Sequence, residues 1–166
     1  NLLKTLLILV SLKPGPSSSI INCASCFLIL QVTNTLLLGG LKEIALSKRL
    51  AIISKEFIQI IDNFSPDVIA VEDLHSRPKF AKTSILMGHA RGVILSSAGV
   101  RDIEVFDYQP TQAKNIVTGS GRADKKQVML SVSKILNNKN LLKNEHVADA
   151  FSIAICHSII NKSNSK

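Results

Sequence analysis

The sequence predicts an α/β fold in a single domain, and three observations carry that prediction. A helical repeat of apolar residues from Leu46 to Ile61 is followed, after one turn, by the apolar run Asp67–Glu72. The same order of helix then strand returns at Ile85–Ser97 and Ile103–Tyr108. The chain has 166 residues, 46% of them apolar, which is enough for one real core and too apolar for a disordered chain.

Residues Asn1–Leu12 hold Lys4 followed by an apolar run. That pattern fits either the start of a secretory signal or a buried first strand, and it is too short to span a bilayer. A turn follows at Lys13–Ser19, rich in proline, glycine and serine. Ile20–Ile21 and Phe27–Gly40 read as two strands of an antiparallel meander, although their alternation is poor. From Leu46 the pattern sharpens. Leu46, Leu50, Ile53, Phe57, Ile60 and Ile61 make one face of a helix, with Lys48, Arg49, Lys55 and Glu56 off it. The helix should stop near Asn63, ahead of Ser65-Pro66. Glu72 closes the strand that follows. The carboxyl ends of such strands are where ligands sit in α/β sheets, and a solvated strand end is the plainer alternative.

His75–Lys82 is a basic loop, suited to solvent or to a phosphate contact. The helix Ile85–Ser97 carries small residues at Gly88, Ala90 and Gly92, with Ala98 just beyond, which suits close packing in the core or across a dimer. Pro110 opens a short helical turn with Gln112 and Lys114. Gly119 and Gly121 then allow a mobile loop whose backbone can be approached from outside. Asp124 and Gln127 form a capping-box pair, so a helix begins at Lys125, with Val128, Val132, Ile135 and Leu136 as its apolar face. Lys125 and Lys126 in the first turn oppose the helix dipole, which favours anions there. A phosphate docked at that end would relieve the conflict, with Lys114 and Arg122 adding charge nearby.

The last helix, Glu145–His157, is small or apolar at nearly every position from Val147 to Ile155, so it is largely buried, and Asn144 is its expected cap. Asp149 lies inside that apolar surround, where a carboxylate needs donors or a cation. His146 lies three positions earlier on the same face. Alone, the pair fits a hydrogen-bonded Asp beside a surface His; the rest of the chain favours a functional site.

Twenty Lys+Arg against twelve Asp+Glu, a net charge of +8, point to a polyanionic partner, nucleic acid before membrane. Aromatic residues at 4%, with no Trp, argue against a single-strand binder built on base stacking. Cys23 and Cys26 form a lone CxxC with no second pair, and Cys156 stands apart, so incidental thiols in a reducing compartment are expected rather than a zinc site.

Three stretches taken together resemble the RuvC family of Holliday-junction resolvases: Gln109–Lys114, Val117–Val128 with its VTGSGRADK loop, and His146–Ala150 with Ala154–His157. Val71-Glu72 and Ala90–Val93 fit the same family, and the likeness runs from about Leu46 to Ile160. The resemblance implies a ribonuclease-H-like fold, a mixed five-stranded sheet flanked by helices, over residues 1–160, with 161–166 a polar tail. It implies a cytoplasmic homodimer that binds four-way junction DNA, works with the RuvA–RuvB branch-migration complex, and cuts with Mg2+ or Mn2+, two ions per subunit. Carried over by position, Glu72 and Asp149 are catalytic carboxylates and metal ligands, and His146 stands where members carry Asp or His. Lys114 and Lys125 match DNA-contacting cations, with Arg122 and Lys126 beside them. His75 stands where many members carry an aromatic residue at the junction centre.

One departure matters. The family's first strand ends in Asp-Pro-Gly, whereas this chain has Lys13-Pro14-Gly15. A cation in the acid's place would repel a metal. Before Glu43 no acidic residue is available to substitute. A degenerate start, a shifted reading frame and true divergence each account for it, the first two being favoured. The competing function is therefore a junction binder that does not cut.

Overall fold

The computed structural model describes residues 8–11, 44–74, 81–137 and 145–164. Three strands and five helices are found there: β1 (Ile8–Ser11), α1 (Leu46–Phe64), β2 (Val68–Glu72), α2 (Ala81–Gly99), β3 (Glu104–Tyr108), α3 (Pro110–Thr118), α4 (Lys125–Ile135) and α5 (Glu145–Asn164). The strands form one sheet in the order β1-β2-β3. It is mixed, as expected: β1 runs antiparallel to β2, with Ile8 opposite Val71, and β2 runs parallel to β3, with Glu72 opposite Tyr108. The apolar run at the start of the chain thus supplies a strand at Ile8–Ser11. The meander expected at residues 20–40, the cap Asn144, and Lys13, Cys23, Cys26 and His75 lie outside the described residues. Among the described residues the sheet has three strands, not the five expected.

Ile69, Ala70 and Val71 are all buried, so both faces of β2 are covered. Helix α1 packs on α2, and α2 reaches β3; α5 packs on all three strands and also holds α3 and α4. The helical repeat read from the sequence is the buried face of α1, with Ile53 and Phe57 each 1% exposed and Leu50 packed at the margin. Each such side chain contributes roughly 1.5–3 kcal/mol by leaving water. Ser65 ends α1 in a left-handed conformation, φ 43°, its N–H donating to the Ile61 carbonyl, and Pro66 blocks continuation.

Several local expectations are corrected by packing. Pro110 opens a full nine-residue helix, with proline at its first position, where its missing N–H costs nothing. On α4, Val128 and Val132 are fully buried but Ile135 is 51% exposed, and Ser133 takes the buried place. On α2, Ala90 and Ala98 enter the core, whereas Gly88 and Gly92 face outward with nothing within 4 Å of the space a Cβ would fill. Helix α5 continues to Asn164, into the stretch expected as a polar tail.

Candidate active site

Because β2 and β3 are parallel, their carboxyl ends lie at the same edge of the sheet. Glu72 ends one strand and Tyr108, its register partner, ends the other. The backbone pairing extends one step further, with Asp73 N–H donating to the Tyr108 carbonyl at 2.9 Å. Glu72 is half-buried there. Arg91 reaches this end from α2: its Nη1 donates to the Glu72 carbonyl at 3.0 Å, and its Nη2 pairs with the Asp107 carboxylate. Arg91 is only 14% exposed while Asp107 is 54% exposed, so the guanidinium bridges the two strand ends from inside.

Asp149 is half-buried on α5, between Ala148 and Ala150, which are 0% and 3% exposed. Its own carbonyl accepts from the Ser152 hydroxyl at 2.6 Å. His146 lies on the same helix, in its first turn. The expected apolar burial of this helix holds from Phe151 through His157, all buried. Two carboxylates on elements that pack together suit a hard divalent cation, which takes oxygen ligands and leaves room for a substrate phosphate. Among the described residues no cluster of three or more His, Cys, Asp or Glu side chains gathers.

The basic corner begins two residues after β3, where α3 starts at Pro110. Lys114 is half-buried on α3; Arg122, Lys125 and Lys126 are exposed where the α3–α4 turn enters α4. The turn expected to be mobile is instead tied down. Gly119 caps α3 at φ 79°, a conformation that favours glycine. Thr118 Oγ1 donates to the Lys114 carbonyl and accepts from Ser120 N–H, and Ala123 N–H donates to the Ser120 carbonyl. A Cβ at Gly121 would lie 3.2 Å from the Thr111 carbonyl oxygen, so glycine lets the turn lie against the start of α3. The capping box is complete: Asp124 accepts from Gln127 N–H at 2.8 Å, and Gln127 Oε1 accepts from Asp124 N–H at 2.9 Å.

Sequence reading gave no role to three residues at this site: Arg91, Tyr108 and His157. Arg91 stood inside a matched motif, and His157 closed another, but neither carried a local signal of its partner. His157 is buried, with its ring centroid 4.8 Å from that of Phe106 and 5.7 Å from that of Tyr108. Burial lowers its pKa, opposed by the charge of Glu104. Burial also raises the Tyr108 hydroxyl, with Cys156 adding to it, and pushes the Cys156 thiol up to about 11. Cys156 is therefore a packed thiol, not a nucleophile.

The family model described as crossover junction endodeoxyribonuclease RuvC matches residues 25–157. The match begins upstream of Leu46 and leaves Lys13 outside. Among curated relatives of that name, one from Alkaliphilus oremlandii is 43% identical over 114 residues, covering 69% of this chain and 69% of its own. Another, from Thermosipho melanesiensis, is 39% identical over 118 residues, covering 71% of this chain and 74% of its own. Two solved structures share the fold. A Thermus thermophilus RuvC matches with a TM-score of 0.63, and T. thermophilus RuvC in complex with a Holliday junction substrate with 0.65. Both are 28% identical, over 74% of each chain.

Proposed function

The chain belongs to the crossover junction endodeoxyribonuclease RuvC family, and from that premise we propose that it resolves four-way DNA junctions by metal-dependent phosphodiester hydrolysis. The observation that carries the reading is the placement of Glu72 at a strand's carboxyl end and Asp149 on the helix packed against that sheet, with a basic corner that begins two residues after β3, the parallel neighbour of the Glu72 strand. Glu72 and Asp149, with His146, would hold magnesium or manganese, two ions per subunit. Such ions, when bound, make a hydroxide nucleophile available at neutral pH and stabilise the leaving oxygen. Lys114 and Lys125 neutralise phosphates beside the cut, and Arg122 and Lys126 extend that charge along the backbone. His75 offers a ring to the junction centre.

A symmetric junction calls for two copies of the site, and α2 offers a face for a homodimer. Ile85 is 60% and Leu95 37% exposed, and Gly88 and Gly92 lie between them on the same stripe with open space above. No helix among the described residues is long and apolar enough to cross a membrane. The working place inferred is the cytoplasm, with the RuvA–RuvB branch-migration complex as partner.

Lys13 favours a second reading, a protein of the same fold that binds junctions without cutting them. One experiment separates the two. The purified chain is incubated with a synthetic four-way junction and magnesium, beside Asp149→Asn and Lys13→Asp. Symmetric nicking by the native chain, lost in Asp149→Asn with binding retained, supports the nuclease. Binding without nicking, with cleavage appearing in Lys13→Asp, supports the second reading. Absence of junction binding refutes both.

A further inference from the structure

A buried polar chain joins the sheet edge that bears Glu72 to the helix that bears Asp149. Tyr108 and His157 are each 5% exposed. Asn161 Nδ2 donates to His157 Nε2 at 3.0 Å. A neutral imidazole has one N–H and one lone pair, so the ring proton then lies on Nδ1 and is donated to the Tyr108 hydroxyl oxygen at 2.7 Å. The same Tyr108 is the register partner of Glu72 and accepts the Asp73 N–H through its carbonyl. Its backbone thus holds the strand end of Glu72, while its hydroxyl holds α5. His157 lies eight residues beyond Asp149, about 12 Å along the helix. The side chains from Phe151 to Cys156 are all buried, so that stretch is firmly packed. A change at His157 therefore moves Asp149 with the helix.

We propose that the Tyr108–His157 hydrogen bond is a positioning strut that sets the spacing of Glu72 against Asp149, and through it the affinity of the site for a divalent cation. The proposal rests on the nuclease reading of that site. Both are positioning residues, which act by orienting groups that touch the metal. The contact also differs from simple packing. The aromatic contacts of Tyr108 survive loss of its hydroxyl, while its hydrogen bond to the helix does not.

The test measures Mn2+ binding to the full-length protein by calorimetry, together with junction affinity in EDTA. Tyr108→Phe keeps the ring and removes only the hydroxyl. It should weaken Mn2+ binding about 3- to 10-fold, below the full range for groups that touch a ligand directly. Metal-free junction affinity should stay unchanged. His157→Leu should match it, and His157→Asn, whose amide falls near the place of Nδ1, should restore binding to within about twofold. A Tyr108→Phe protein that melts earlier but binds Mn2+ like the native chain overturns the strut and leaves the nuclease reading standing. A native chain that binds no Mn2+ overturns both.

Discussion

Replacing Arg91 by Ala removes a guanidinium that ties two strand ends together, and the cost can be worked from its two contacts. The bond from Nη1 to the Glu72 carbonyl, at 3.0 Å, is charge-assisted and mostly shielded, since Arg91 is 14% exposed. Such a bond is worth about 1.5–3 kcal/mol. The pairing with Asp107 is worth less, because that carboxylate is 54% exposed and screened by water. An exposed pair of this kind contributes about 0.2–1 kcal/mol. Arg91→Ala should therefore destabilise the fold by about 2–4 kcal/mol, and Asp107→Ala by about 0.2–1 kcal/mol. For a chain of this size that corresponds to a melting-temperature loss of about 4–16 °C for the first. Arg91→Lys should fall between them, because a single ammonium cannot fork to both acceptors. Urea and thermal melts by circular dichroism at one fixed protein concentration would measure this, the fixed concentration keeping any association constant. Equal losses for Arg91→Ala and Asp107→Ala would refute the reasoning, since they would place the whole energy in the exposed ion pair. A loss below about 0.5 kcal/mol for Arg91→Ala would show that the carbonyl contact contributes nothing.

Two further outcomes can be checked. Lys114→Ala and Lys125→Ala should each weaken junction binding and flatten the dependence of log affinity on log salt by about one unit; fluorescence anisotropy over a salt series reads the slope, and an unchanged slope removes that lysine from the interface. His157 is held neutral by burial, its folded pKa lying below the ordinary 6.5. The unfolded chain then binds the extra proton first, so stability is full above pH 6.5 and falls as the pH drops from there toward the folded value; urea midpoints at pH 7.5 and 5.5 should show that loss in the native chain and a smaller one in His157→Asn, and equal losses would assign the acid sensitivity to other groups.

What the sequence disclosed follows the range over which each interaction acts. The capping box of Asp124 and Gln127 spans three residues and was legible in full, down to both reciprocal bonds. The buried face of α1 repeats every three or four residues, and the strand ending at Glu72 marks itself by its own apolar run. Near the end of α4 the same periodic logic misses one place, since Ser133 is buried and Ile135 is 51% exposed, while Leu136 is buried as expected. Gly119 and Gly121 read as looseness, yet one supplies a left-handed cap and the other a close approach to Thr111; a glycine states that the backbone is permitted something without saying what. The contacts that organise the candidate site were illegible for a stricter reason. Arg91 lies 16 residues from Asp107, and Tyr108 lies 49 residues from His157. No periodicity reaches that far, and each residue looks ordinary in its own segment: an arginine in a helix, a tyrosine at a strand end, a histidine in an apolar run. The acidic groups could be recognised because burying or edge-placing a carboxylate is costly enough to stand out locally. Their supports are neutral or already paired, so they cost the local sequence nothing and leave no mark on it. The residues that tie the Glu72 strand end to its neighbours, Arg91 to the Asp107 strand and Tyr108 to the last helix, are thus ones that only the folded chain reveals.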